Sequence, residues 1–152
     1  IEAPVIPGAY VAAGIAERGF GVRQSIQALR REFPEFTRHR LENIARTEGA
    51  VLYEAGHLSR YRLDQAVMGA RFDAVNDSRT TETCRWHDGR SYKLDDPELP
   101  EPPMHFMCRS TLAPVLFYEE PDWQSEPPPE KARPLAGFGK FDEGLLPENV
   151  TL

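Results

Sequence analysis

Apolar positions follow a helical period in the first half of the chain, a two-residue period near its middle and no period towards its end. Val22, Ile26, Leu29 and Phe33 recur at three- and four-residue spacing, which predicts a helix over about residues 22–33 with one buried face. Pro34 ends that helix or starts the next, because a proline ring is tolerated only in a first turn. Leu41, Ile44, Ala45, Leu52 and Ala55 carry the same spacing onward and predict a second, longer helix from about Thr37 to Leu63. Gly49 and Gly56 weaken it, each by about 1 kcal/mol relative to Ala. Glu48 falls on the apolar stripe, where an acid needs a partner from elsewhere in the fold, whereas Glu54 reads as solvated. His39 and His57 read as solvated or capping residues rather than ligands.

After Gly69 the period changes. Ala70, Phe72 and Ala74 alternate with Arg71, Asp73 and Val75, as in a half-buried strand, and Asn76 to Glu82 follows as a polar loop. An Asp88-Gly89 turn leads into a short strand over Ser91 to Leu94. Thr111 to Tyr118 reads as the last strand, confined by Pro114 to an edge or a bulge. The expectation is an α+β fold, two N-terminal helices packed on a small antiparallel sheet, occupying residues 22–119. Residues 1–21 read as an extended arm, Ile1 to Pro7, and a glycine-containing connection. Eleven of the fourteen prolines lie between Pro97 and Pro147, and Glu126-Pro127-Pro128-Pro129-Glu130 is a stiff spacer. Residues 120–152 therefore read as an extended Pro-rich tail, lying across a partner or across its own domain.

A chain of 152 residues suits one domain with an appendage. Mean hydropathy is negative and no apolar run is long enough for a transmembrane helix. The first residue is not Met and no signal-peptide pattern follows, so the start reads as the edge of a fragment. Two cysteines do not make a disulfide framework; metal ligation or free thiols in a reducing cytoplasm fit better. The net charge of −6 is unevenly spread. Residues 17–62 hold nine Arg against six Glu, and residues 95–152 hold twelve acids against four bases. An acidic whole argues against duplex DNA as the main partner, because phosphate neutralisation dominates such affinity.

Candidate chemistry is concentrated between Asp77 and Cys108. Both cysteines and two of the four histidines lie there, as Cys84-x-x-His87 and His105-x-x-Cys108. A two-residue gap lets both side chains of a pair converge on one point, so Cys84, His87, His105 and Cys108 are candidate ligands of one structural zinc ion. Using all four as ligands leaves no open position for catalysis. Without metal the same residues would knit the loop by packing and hydrogen bonds, and a Cys84–Cys108 disulfide is the rival closure. A second group, Arg46, Glu48, Asp77, Arg79 and Thr80, reads as a structural polar centre, with Arg79 the expected partner of Glu48. Arg46 and Glu48 are two apart and point to different helix faces. No Gly-rich phosphate loop or Ser-His-Asp order is present.

Asp77-x-Arg79-Thr80, then Cys84 and Gly89, then Pro102-Pro103-x-His105-x-x-Cys108-Arg109, with Ala45-Arg46-Thr47-Glu48 upstream, resembles the signature of the phage Mu F-like (MuF) family. The resemblance covers roughly residues 20 to 117. The family often carries Cys-x-x-Cys where this chain has Cys84-x-x-His87, which keeps a ligand, and Cys-Arg-Cys where this chain has Cys108-Arg109-Ser110, which removes one. The resemblance implies a non-enzymatic minor capsid protein for head morphogenesis in a tailed bacteriophage. It would be adapter-like, associated with the portal and the head interior and present in several copies per virion. Portal protein and major capsid protein are the implied partners, with packaged DNA as a further contact and no membrane. Two other classes compete. A metal-dependent, His-rich nuclease would use His87 or His105 as base and Asp88 as ligand, but needs an open metal position and a basic surface. An ADP-ribosyltransferase-like effector would need an Arg or His start, a Ser-Thr strand and a late catalytic Glu, a set these residues do not supply.

Overall fold

Glycine and threonine set where the two helices begin. In a computed structural model that describes residues 14, 15 and 18–141, α1 is Val22–Glu32 and α2 is Arg38–Leu63. The arm expected over residues 1–7 and the end of the tail, 142–152, lie outside the described residues. Before α1, the side chain of Gln24 reaches back to accept the Gly21 N–H, 3.1 Å. Before α2, Thr37 Oγ1 accepts the Arg40 N–H, 3.2 Å, so Thr37 is the cap and not the first helical residue. Gly49 and Gly56 are accommodated without a break in α2.

The described residues divide into two units, one ending at Tyr53 and the other Glu54–Phe141. The first unit buries Leu29, Leu41 and Ala45, with Val22, Ile26, Phe33, Phe36 and Ile44 packed around them. Apart from Phe36, these are positions the helical period singled out. Phe33 and Phe36 stack across the α1–α2 turn at 5.0 Å between ring centres, and the Arg40 guanidinium lies 3.7 Å over Phe36.

The second unit is a three-stranded antiparallel sheet with its covering loops, and the protein is α+β. Its strands are β1, Val67–Asp73, β2, Ser91–Lys93, and β3, Thr111–Leu116, in the order β2–β1–β3. A six-residue helix, α3, Glu82–His87, to which no element was assigned from the sequence, follows the polar loop expected over Asn76 to Glu82 and leads into β2. Thr81 caps it, accepting the Cys84 N–H. β1 begins three residues before the expected Ala70, because Met68 is an extra residue between Val67, opposite Leu116, and Gly69, opposite Val115. Gly69 is required at that bulge. A Cβ there would lie 2.4 Å from the Tyr92 carbonyl oxygen and 2.5 Å from the Trp123 ring. Leu58, Ala70, Phe72, Ala74, Cys84, Tyr92, Leu99, Met104 and Leu112 form the core of this unit.

β3 is an edge strand, and its outward groups are closed from within the unit. Glu54 accepts the Leu112 N–H, 3.2 Å, and the Tyr61 hydroxyl donates to the Leu112 carbonyl, 2.9 Å. Pro114 has no N–H to offer, and Glu119 accepts the Leu116 N–H, 2.7 Å. The β2 edge is covered by the tail: Gln124 N–H donates to the Ser91 carbonyl, 2.8 Å, beside a bridge between Ser91 and Trp123. The tail continues over the same unit. Leu135 N–H reaches Met104 O, Gly139 pairs with Glu101, Lys140 Nζ donates to Leu99 O, and Ala132 is fully buried. Residues 120–141 thus lie across their own unit, one of the two expected placements, and the division between the two units falls inside α2.

The roles expected of the two helix acids are exchanged. Glu54, read as solvated, is 4% exposed and carries the Leu112 bond; burial raises its pKa, and hydrogen bonds from Thr111 and Leu112 oppose that rise. Glu48 is half-buried and its pKa is raised by burial alone, with no hydrogen-bonding or charged partner among the described residues. Its position on the stripe was legible; a partner was not a consequence of it. Glu54→Ala therefore leaves a buried edge N–H unpaired, at a cost of about 1–3 kcal/mol, and reopens the edge. Chemical denaturation is expected to show that loss, with concentration-dependent association, and Glu48→Ala to show little change or a small gain.

A second outcome concerns the tail. A chain ending at Glu119 loses the cover of the β2 edge and the buried Ala132. It is expected to melt well below the full-length protein, by about 4–8 °C for each kcal/mol lost. Equal melting temperatures would show that the tail contributes nothing to this unit.

Candidate metal centre

Cys84 projects from α3 into the core, held there by the Thr81 cap. Its sulfur lies 3.4 Å from His105 Nε2 and 3.7 Å from Cys108 Sγ, and the three donor atoms all lie within 4.8 Å of one another. In a tetrahedral zinc site with Zn–S of about 2.3 Å and Zn–N of about 2.0–2.1 Å, two sulfurs are about 3.8 Å apart and S···N is about 3.6 Å. Two edges of the triangle therefore already have the dimensions of a zinc shell. At 3.7 Å the sulfurs are not bonded, and both cysteines are free.

The histidine is presented in the form a metal requires. His105 Nδ1 lies 2.8 Å from the Phe106 carbonyl oxygen, which can only accept, so Nδ1 carries the proton. The Nε2 lone pair is left facing Cys84, the arrangement in which a backbone carbonyl orients a ligating imidazole. The two thiols push each other in opposite directions. Cys108 is drawn down, chiefly by the hydrogen bond from Cys84, which outweighs the rise that burial brings, with help from donors on Met104 and Ser110. Cys84 is pushed up, by that same bond to the Cys108 sulfur and by burial. Cys84, His105 and Cys108 are a donor set that could hold a metal ion.

His87 stands outside that set. It is 1% exposed, its Nε2 donates to the Ala132 carbonyl, 3.2 Å, and its Nδ1 accepts the Tyr92 hydroxyl, 2.6 Å. Burial depresses its pKa to about 4, against a smaller opposing contribution from the Ala132 bond. Asp88, the alternative ligand, is also committed: Oδ1 accepts the Ala74 N–H and Oδ2 accepts from Asn76.

The second group resolves into separate parts. Asp77, Arg79 and Thr80 form one hydrogen-bonded loop. The Arg79 N–H donates to Asp77 Oδ1, Asp77 N–H to Thr80 Oγ1, and the Thr80 hydroxyl to Val75 O. The cation that Asp77 pairs with is Arg109, through two parallel bonds of 2.7 and 2.6 Å, and this pair holds the Asp77 carboxyl far below the usual range. Arg79 contributes its backbone and leaves its side chain exposed. Arg46 is exposed and pairs with Glu42 one turn back in α2. Arg109 is the residue whose part sequence reasoning missed. Its place beside Cys108 was visible in the chain, but its partner Asp77 is 32 residues away.

The family model for Phage Mu protein F like protein matches residues 9–113, which takes in both helices, the three strands as far as Ala113, and Cys84, His105 and Cys108. No curated protein and no solved structure matches the chain.

His87 makes a pH-dependent contribution with a definite sign. Folded, it stays neutral down to about pH 4, whereas unfolded it takes up a proton near the model-peptide value of about 6.5. The unfolded state binds more protons between those values, so stability falls as pH drops from about 6.5 to about 4, by up to about 3 kcal/mol. Denaturation midpoints across this window are expected to follow that slope, and His87→Gln to flatten it.

Proposed function

We propose that this chain, which belongs to the Phage Mu protein F like family and is thereby a phage head-morphogenesis protein, works in the virion as a minor capsid adapter at the portal vertex or the inner face of the head. The family match over residues 9–113 is the observation that carries this reading. The geometry agrees with a binding role. Of the groups the nuclease reading would use, His87 and Asp88 have their hydrogen-bonding atoms engaged in structural bonds, and His105 turns its Nε2 to the Cys84 sulfur. What the second unit offers outward is aromatic: Phe117 and Tyr118, 67% and 68% exposed, pack edge to face just beyond β3. Rings already held against each other lose little freedom when a partner covers them. Portal protein and major capsid protein are the partners this surface would meet, with packaged DNA as a further contact. Among the described residues no helix is long and apolar enough to cross a membrane.

In this reading the Cys84, His105 and Cys108 set holds one structural zinc ion. The residues fit it by donor type, by the two edge lengths and by the oriented imidazole. Bound there, zinc would fix α3 to the loop ahead of β3 and so hold the sheet's covering loops in place. Protein purified without chelator is expected to carry about one zinc per chain, lost on Cys84→Ser. Plasmid nicking with divalent metal and NAD consumption are expected to stay at background. Nicking abolished by His105→Ala or Asp88→Ala would replace the adapter reading with the nuclease.

The docking surface has its own test. Phe117→Ser with Tyr118→Ser is expected to leave the melting temperature of the isolated chain nearly unchanged. Incorporation into particles should fall by about tenfold or more, equivalent to about 1.4 kcal/mol of lost contact energy. Unchanged incorporation would remove these rings from the interface.

A further inference from the structure

The two cysteines carry a second chemistry that needs no metal. They are 24 residues apart in the chain, yet their sulfurs lie 3.7 Å apart and both are free thiols. A disulfide places its sulfurs about 2.05 Å apart, so an approach of about 1.7 Å separates the open pair from a covalent one. The two sides of this gap differ in freedom. Cys84 is fixed by α3 and its Thr81 cap, whereas Cys108 lies in an irregular segment ahead of β3, which can supply the movement. They differ in access as well. Cys84 is 2% exposed and Cys108 is half-buried, so an oxidant arriving from solvent meets Cys108 first, with Cys84 behind it. His105 completes the arrangement. With its proton on Nδ1, it turns the Nε2 lone pair to the Cys84 sulfur at 3.4 Å, within reach of the proton that this thiol gives up when it attacks.

We propose that Cys84 and Cys108 are a redox-active pair: a hydroperoxide oxidises Cys108, Cys84 closes the disulfide, and His105 carries the proton between them. In the first step the Cys108 sulfur attacks the peroxide, the O–O bond breaks, and the thiol proton leaves with the departing oxygen as water. Cys108 is then a sulfenic acid, oxidised by two electrons. In the second step the Cys84 sulfur attacks that of Cys108 while its own proton passes to His105 Nε2. The S–S bond forms, the S–O bond breaks, and the departing hydroxide takes the proton as a second water. Two thiols and one peroxide become one disulfide and two waters. The product ties α3 covalently to the segment ahead of β3. Thiols persist in a reducing cytoplasm, and disulfides persist on particles outside the cell. The pair would therefore stay open during assembly and lock the covering loops after release. That timing rests on the virion reading; the chemistry does not. Where zinc is bound, closing the pair withdraws two of its three protein ligands, so the lock and the ion exclude each other.

The reduced full chain, treated with about one equivalent of hydrogen peroxide and then with an alkylating agent, is expected to lose about 2 Da and take up no alkyl group. Trypsin cuts between the cysteines at Arg85, Arg90 and Lys93, so a non-reducing map should show their two peptides joined within one chain. Dithiothreitol should part them. The linked chain should melt about 10 °C or more above the reduced one. Cys84→Ala, with its fold intact by circular dichroism, should stop at the sulfenic acid and take up dimedone at Cys108. His105→Ala should slow closure by about tenfold while leaving the first oxidation unchanged. A sulfinic acid at Cys108 with no link, a link between two chains, or a linked chain that melts below the reduced one would each overturn the proposal. The purified chain is what is measured. Absence of this protein from particles would therefore remove the virion reading and the timing, and leave the chemistry of the pair in place.

Discussion

A three-stranded sheet has one interior strand and two edges, and the second unit of this protein is shaped by the need to close both. Unpaired edge groups invite association with other chains, and a sheet this narrow has little else to protect it. β3 is closed by Glu54, Tyr61, Pro114 and Glu119, and β2 by Trp123 and Gln124. The long reach of these contacts explains why the last turns of α2 and the Pro-rich tail belong to the same unit as the sheet. Proline suits the tail for the same reason, since an extended segment already restricted in the unfolded chain loses less entropy on being laid down.

The candidate metal centre inherits its geometry from that closure. Wrapping the tail across the β2 side carries Ala132 to His87, which turns that imidazole towards Tyr92 and away from the cysteines. The Asp77–Arg109 pair draws the loop ahead of α3 and the segment ahead of β3 together. The cysteines sit seven residues after the one partner and one residue before the other. Cys84 and Cys108 thus meet because their flanks are already tied. A metal ion would reinforce an approach that hydrogen bonds and packing have made, which suits a structural role in a protein whose family builds phage heads.

The helices, the sheet's existence and the stretch that carries the chemistry were legible in the sequence, because each is a local pattern. Apolar spacing placed α1 within one residue at its end and α2 within one at its start. Pro114 marked β3 as an edge, and the concentration of cysteine and histidine between residues 77 and 108 marked the centre. α3 was missed because its six residues are too few for a period to repeat, leaving only the Thr81 cap as a signal. β1 was started late because a bulge at Met68 breaks the alternation that identifies a strand.

What only the tertiary structure decided is which residues of a suitable type are used. Cys84 and His87 are both buried on α3, yet only Cys84 faces the other donors, because His87 finds a hydroxyl and a carbonyl supplied from residues 5 and 45 positions further along. Glu48 and Glu54 both lie on α2, yet only Glu54 meets an edge N–H to receive. Asp77 could have paired with Arg79 and instead pairs with Arg109. In each case the residue type fixes what bond can be made, through its donors, acceptors and charge. Which partner makes it depends on contacts 5 to 58 residues apart along the chain, and those exist only once the strands are paired and the tail is laid across them.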